Sequence, residues 1–139
     1  MVWPRKQSRR RGQSGQALIE TGLMMIVFFT VVFFVFEMGL LMYTYSVLAD
    51  AANEGVRYAI VHSGAGDADG TTVARVKAFA TTSMHDVSAI SVLVSAPDTT
   101  YTPPNRVRVT VTYAYIPYLP KFIAAPTMHA YAEGRMVAP

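Results

Sequence analysis

The stretch GQALIETGLMMIVFFTVVFFVF, residues 15–36, decides the fold of this 139-residue chain. Its only charged residue is Glu20, which lies near one end. About 20 mostly apolar helical residues cross the hydrocarbon core of a bilayer, and residues 17–36 meet that length. A single segment in lipid satisfies its own backbone hydrogen bonds only as a helix. The stretch therefore predicts one membrane-spanning helix.

A basic run lies just before the apolar stretch and predicts its orientation. No Asp or Glu precedes Glu20, so the N-terminus is expected in the cytoplasm and the rest of the chain outside. Residues 1–15 are interpreted as an unstructured basic leader. Because topology accounts for these charges, nucleic-acid binding is not expected. The run comprises Arg5, Lys6, Arg9, Arg10 and Arg11.

The apolar stretch fits a soluble core helix or a secretory signal less well. A buried core helix is disfavoured because so short a chain rarely surrounds such a long run of Phe and Val. A cleaved secretory signal would have an A-x-A-like site at Ala49-Asp50-Ala51. The apolar run is longer than the usual signal, however, and no helix breaker separates it from Ala49.

The helix is predicted to continue beyond the membrane as far as His62. The sequence Ser63-Gly64-Ala65-Gly66 then supplies a glycine stop signal. We predict three parts: the leader 1–15, a transmembrane helix and stalk 16–62, and an extracytoplasmic domain 63–139. The apolar face of the stalk recurs with helical spacing at Leu41, Tyr45, Leu48, Ala52, Val56 and Ala59.

The outer domain is predicted to contain a short helix and three strands. The helix is expected over 72–84 with its N-cap at Asp69 or Thr71, and strands over 89–95, 106–115 and 127–137. Apolar and polar residues alternate strictly from Arg106 to Tyr115, which is typical of a half-buried strand. The fold class is therefore α+β, with a small antiparallel sheet packed on the outer half of the long helix.

Little in the outer domain suggests catalysis. The chain has no cysteine, and His62, His85 and His129 do not form a metal-ligand spacing. No phosphate-binding, dinucleotide or nucleophile-elbow motif occurs. We predict no enzymatic activity, no cofactor, no metal and no small-molecule substrate.

The informative chemistry lies at the entrance to the membrane. Gly15 ends the basic leader, and Glu20 is the fifth residue counted from Gln16. A carboxylate is costly inside a bilayer and less so near its interface. If the chain were cut after Gly15, Gln16 would carry a new ammonium group, with which the Glu20 carboxylate of a neighbour could pair. Gly15 has no side chain, so a protease can approach its backbone closely, and we predict a cleavage site at Gly15 and Gln16. After such a cut, Glu20 is expected to act in assembly.

Two further predictions concern the stalk. Small residues allow another surface to approach closely, so the strip Ala51, Ala52, Gly55 and Ala59 is expected to pack on the sheet or on a neighbouring helix. Arg57 lies on the same side as Glu54, and an exposed pair of this kind contributes only about 0.3–0.5 kcal/mol. A larger effect of Arg57 would indicate contact with another subunit or with the domain's own loops.

A basic leader, a glycine, four residues, a glutamate and an apolar helix make up the prepilin-type processing pattern. The continuation of the helix resembles the TadE-like minor pilin (pseudopilin) family over about residues 11–62. The family pattern places interaction residues on the helix. They are Glu37, Gly39, Tyr45, Ala52, Glu54, Gly55, Arg57 and Tyr58.

This resemblance implies a role in the tight-adherence (Flp-type, type IVc) pilus system of bacteria. It implies a single-pass protein of the inner membrane that can enter a surface pilus and is matured by a prepilin peptidase. The implied partners are that peptidase, other pilins or pilus assembly proteins, and the lipid bilayer. The alternative is an unprocessed, envelope-anchored protein whose outer domain binds a partner.

Overall fold

The structure is a computed structural model that describes residues 10–62, 70–84, 86–118 and 124–136. The chain forms two compact units, Met1–Met38 and Gly39–Pro139. Their elements are, in chain order, α1 (Arg10–His62), α2 (Thr71–Thr81), β1 (Ile90–Ser95), β2 (Arg106–Ala114) and β3 (Thr127–Arg135).

Helix α1 begins at Arg10 and ends at His62. The predicted end is confirmed, but the prediction that the leader is unstructured is wrong for residues 10–15. Arginine and glutamine are good helix formers, and no proline follows Pro4 until Pro97. The helix therefore extends backwards from the apolar stretch into the basic run. Residues 1–9 lie outside the described part of the chain.

The part of α1 within the first unit is apolar on all sides from residue 21 to 36. Only 6% of its most apolar window is buried, which is inconsistent with the core helix of a soluble domain. The hydroxyls of Thr21 and Thr30 donate to the carbonyls of Ala17 and Ile26, each at 2.8 Å. Both hydroxyls are thus satisfied within the helix, and the length and composition of the helix fit a single-pass membrane protein.

The second unit contains a three-stranded antiparallel sheet in the order β1-β2-β3. The alternation predicted for β2 is confirmed, because its side chains are buried and exposed in turn. In the register, Val109 lies opposite Val94 on β1 and Ala132 on β3. One face of the sheet, with α2 and the C-terminal part of α1, forms the hydrophobic core. Its members include Leu48, Ala52, Val56, Val76, Ala80, Ile90, Val109, Val111 and Met128.

The predicted apolar face of α1 is wrong at Tyr45, which is 51% exposed. Val47 and Ala51 are buried instead. They move the centre of the buried face around the helix and leave Tyr45 at its flank. Leu48 and Ala52 are completely buried, as the helical spacing predicts.

The predicted cap of α2 is also wrong. Thr71 is the first helical residue, and the N-cap is Gly70, in the left-handed conformation at φ 70° with no side-chain cap. Glycine reaches this conformation without the steric cost that a side chain adds. The alternative cap, Asp69, lies outside the described residues, as do the rest of 63–69, His85, 119–123 and 137–139.

Candidate functional site

The proposed scissile bond, between Gly15 and Gln16, lies in the second turn of α1. Both residues are exposed, and a Cβ atom added to Gly15 would meet no atom within 4 Å. A peptide bond inside a helix is held by i→i−4 hydrogen bonds, so a protease has to open the turn first. Gly12 and Gly15 lower that barrier, because each glycine costs a helix about 1 kcal/mol relative to alanine.

Glu20 lies one helical turn after Gln16 and is exposed. Among the described side chains it forms no salt bridge within 4 Å. Its carboxylate is therefore accessible to a cationic group from another molecule.

Glu37 and Gly39 lie where α1 leaves the apolar stretch, and their environments differ. Glu37 is only 3% exposed, although the preceding Phe36 is 69% exposed. Gly39 is exposed, and a Cβ atom there would meet nothing within 4 Å. The described chain thus gives no internal steric reason for a glycine at 39, and a role for Gly39 in packing requires a second molecule.

The strip of small residues on α1 contacts the sheet and α2. The sequence predicted packing on the sheet or on a neighbouring helix, and contact with the sheet is the first of these. Ala51, Ala52 and Ala59 are completely buried. A Cβ atom on Gly55 would lie 2.5 Å from Cγ2 of Val76 on α2 and 3.1 Å from Cγ1 of Val109 on β2. A side chain at 55 therefore does not fit unless these valines move.

A second glycine faces α1 from the sheet, and the sequence did not reveal it. A Cβ atom on Gly134 of β3 would lie 2.7 Å from Cγ1 of Val56 and 3.0 Å from Cγ2 of Ile60. Residues 127–137 alternate only weakly, so their pattern did not distinguish an inward glycine from a weak strand residue. Two close backbone approaches, at 55 and 134, thus bring α1 and the sheet together.

The polar residues at the end of the family pattern have different surroundings from those expected. Glu54 pairs with Arg75 of α2 at 3.1 Å, whereas Arg57 is exposed and has no salt bridge within the described part of the chain. Tyr58 stacks on His62, with ring centroids 4.2 Å apart. The Glu54 partner was missed because it lies 21 residues away on another helix.

A cluster of charges lies on the solvent face of the sheet. The Arg106 guanidinium donates to Asp98 at 2.9 Å and to Glu133 at 3.4 Å. Glu133 also pairs with Arg108, whose guanidinium carbon lies 5.4 Å from the centre of the Tyr131 ring. The hydrogen bonds from Arg106 lower the pKa of Asp98 from 3.8 to about 2. This network ties the loop after β1 to the two following strands.

The second unit contains a groove of about 390 Å³, which lies beside Leu40, Tyr43 and Thr44 of α1. The Tyr43 hydroxyl donates to the carbonyl of Ser83 at 3.3 Å. Burial raises the pKa of Tyr113, and the charges of Asp86 and Tyr118 add to that shift. The groove is amphipathic, and its lining includes Leu40, Tyr43, Thr44, Met84, Asp86, Tyr113, Tyr115, Ile116 and Tyr118.

Comparison with known families connects the geometry of α1 to a function. Residues 15–57 match the family model of TadE-like proteins. The resemblance noted in the sequence is thereby confirmed over this segment, and it indicates a protein associated with the tight-adherence pilus. No curated protein and no solved structure matches the chain.

The TadE-like segment begins at the proposed cleavage glycine and ends at Arg57. It therefore includes the exposed Glu20, the buried Glu37 and the tight contact at Gly55, but none of the sheet.

Within the described residues, no three His, Asp or Glu side chains lie close enough together to hold a metal ion.

Proposed function

We propose that the protein is a minor pilin (pseudopilin) of a tight-adherence, Flp-type pilus, matured by a prepilin peptidase that cuts between Gly15 and Gln16. The observation that carries the proposal is the TadE-like match over residues 15–57. The match coincides with a helix whose first part is long and apolar enough to cross a membrane. In this proposal the N-terminus is cytoplasmic, because the basic run precedes the span, and the sheet lies outside the inner membrane.

Processing changes the chemistry of the helix N-terminus. Removal of residues 1–15 leaves the ammonium group of Gln16 one turn from Glu20 at the start of the helix. In a neighbouring subunit the exposed Glu20 carboxylate can pair with that ammonium, which compensates part of the cost of a charge close to lipid. Glu20 therefore favours assembly only after the cut. The protein acts in building the pilus with other pilins and assembly proteins, and catalyses no reaction itself.

Co-expression with a prepilin peptidase, followed by intact-mass analysis, tests the cut. We expect a product that begins at Gln16. Gly15→Val should block its formation, because the β-branched side chain crowds the scissile bond and removes the backbone freedom of glycine. Gly12→Val is the matched control: it removes another glycine of the same helical leader, which makes the turn harder to open, but it leaves the scissile bond uncrowded, so the cut should be slower and still occur. A product that retains residues 1–15, in cells that process a known prepilin, would contradict the proposal.

The role of Glu20 is tested separately. Glu20→Gln keeps the shape of the side chain and removes its charge. We expect normal processing by mass analysis but weaker recovery of the protein with assembled pilus components after crosslinking. Equal recovery of Glu20→Gln and wild type would refute the assembly role while leaving the cleavage site unaffected.

A second candidate is an envelope-anchored protein that is never processed. It is favoured by one observation, the helical conformation of the bond between Gly15 and Gln16. The same mass measurement separates the two, because an uncut chain that is stable beside an active peptidase is the result expected for the anchored protein.

A further inference from the structure

The segment that follows β2 exposes two large side chains to solvent, those of Ile116 and Tyr118. Ile116 is 65% exposed and Tyr118 is 79% exposed. Residues 115 and 117, which alternate with them, are both buried. The inward residues hold the loop, and the backbone N–H of Tyr115 donates to the carbonyl of Pro126 at 3.1 Å. The two outward side chains therefore extend from a segment whose alternate residues are buried.

The loop lies beside the part of α1 that follows the apolar stretch. Ile116 and Tyr118 line the same groove as Leu40 and Tyr43. Leu40 comes four residues after Phe36, the last residue of the apolar run. Four helical residues rise about 6 Å, and the headgroup layer on each side of the hydrocarbon core is about 5–8 Å thick. Leu40, which lines the groove, thus falls within the headgroup layer if residues 17–36 span the bilayer.

The composition of this region suits the boundary between lipid and water. Tyrosine is enriched there because its ring is apolar and its hydroxyl polar, and Tyr43 and Tyr118 are both more than half exposed. Asp86 provides a polar wall of the groove that can remain in the headgroups. The exposed residues of the sheet, such as Leu93, are not part of this groove.

We propose that the 116–118 loop docks on the headgroup layer of the bilayer that α1 crosses, with Ile116 and Tyr118 inserted toward the acyl chains. The binding partner is the lipid interface itself. The proposal rests on the membrane span included in the proposed function, but it does not depend on processing or pilus assembly. The loop gives the outer domain a second membrane contact besides its helix.

Site-directed spin labelling tests this directly, because the chain contains no cysteine. Single variants Ile116→Cys and Tyr118→Cys are labelled in the full chain and reconstituted in phosphatidylethanolamine–phosphatidylglycerol vesicles. Leu93→Cys is the matched control, since Leu93 is 63% exposed on the sheet. Val27→Cys, within the apolar run, reports the span itself. Each label is exposed in turn to oxygen, which concentrates in lipid, and to a water-soluble nickel chelate.

The expected result is a severalfold higher ratio of oxygen to nickel collisions at 116 and 118 than at 93, with the highest ratio at 27. A high ratio at 27 but equal ratios at 116, 118 and 93 would overturn the loop proposal and leave the membrane span intact. Labels at 116 and 118 that neither reagent reaches would show protein coverage and would also overturn it. A low ratio at 27 would refute the span and, with it, the loop proposal.

Discussion

Replacing glycine by alanine at two sites on α1 is expected to change stability in opposite directions: Gly55→Ala should destabilise the protein and Gly39→Ala should stabilise it. Gly55→Ala puts a methyl group 2.5 Å from Cγ2 of Val76 and 3.1 Å from Cγ1 of Val109. Both neighbours are β-branched and have restricted rotamers, so they relieve the overlap poorly. Gly39→Ala, in contrast, introduces its methyl group into open space.

The magnitudes follow from two opposing effects. Overpacking a core costs about 1–3 kcal/mol, and replacing glycine by alanine within a helix returns about 0.8–1.0 kcal/mol. Because the Val76 contact is so short, we expect Gly55→Ala to lower the free energy of unfolding by about 1–2 kcal/mol. On a domain of this size that corresponds to a fall in Tm of about 4–16 °C. Gly39→Ala should raise Tm by about 4–8 °C, and Gly55→Leu should destabilise more than Gly55→Ala.

The assay is thermal unfolding of the full chain in detergent micelles, followed by near-ultraviolet circular dichroism of the tyrosines. The variant Val76→Ala, alone and combined with Gly55→Ala, supplies a double-mutant cycle. Removing the Val76 methyl groups should make the double variant more stable than the sum of the two single effects, by about 0.5–3 kcal/mol. If Gly55→Ala stabilises as Gly39→Ala does, or if the cycle shows no coupling, the steric reasoning is refuted.

The remaining predictions concern the sheet and its attachments. Gly134→Ala should destabilise by about 1–3 kcal/mol, because its methyl group would overlap side chains of α1 at 2.7 and 3.0 Å; an unchanged Tm would contradict the close approach. Because the pKa of Asp98 is lowered from 3.8 to about 2, its contribution to stability should be complete well above pH 3.8 and should be lost as the pH falls through 3.8 toward about 2. Asp98→Asn should remove this part of the pH dependence of Tm, and Arg106→Gln should shift its midpoint toward 3.8. A double-mutant cycle between Glu54 and Arg75, whose side chains are 26% and 58% exposed, should give a coupling of about 0.2–1 kcal/mol that decreases with salt. A larger, salt-independent coupling would indicate a desolvated pair.

The local patterns in the sequence predicted most of the elements correctly. The alternation in β2 gives its inward face at Val107, Val109, Val111 and Tyr113, since that face depends only on the two-residue period of a strand. The end of α1 at His62 follows from the glycines after it. The smallness of residues 51, 52, 55 and 59 predicted a close contact, although it did not say which surface makes it.

The failures arise where a partner distant in sequence decides the outcome. Tyr45 has the right helical spacing for burial, but the sheet covers a face of α1 that is centred elsewhere. Glu54 has Arg57 three residues away, yet Arg75 of α2 binds its carboxylate at 3.1 Å. Gly134 looked like a weak strand residue until α1 supplied the neighbours that leave no space for its side chain. None of these three outcomes can be predicted from the hydrophobic period of the helix or strand in which the residue lies.

The cleavage site illustrates a different limit. The spacing from Gly15 to Glu20 predicts the position of a cut, whereas the helix that begins at Arg10 adds a condition for it. The peptide group must leave its helical hydrogen bonds before a protease can bind it in an extended form. Glycine at 12 and 15 makes such an opening less costly, so the proposed cut would depend on the composition of the leader as well as on the residue at the cut.

The paired glycines at 55 and 134 also have a mechanical consequence. Gly55 receives side chains of α2 and β2, and the backbone at Gly134 receives side chains of α1. These two interlocks involve different strands, so sliding the sheet along the helix would force valine and isoleucine methyl groups against backbone at both positions. A force that pulls on the sheet is therefore transmitted to α1 by the steric contacts at Gly55 and Gly134. Such contacts do not break one at a time, as hydrogen bonds do. The chain under load should therefore keep the register between α1 and the sheet until the whole contact separates.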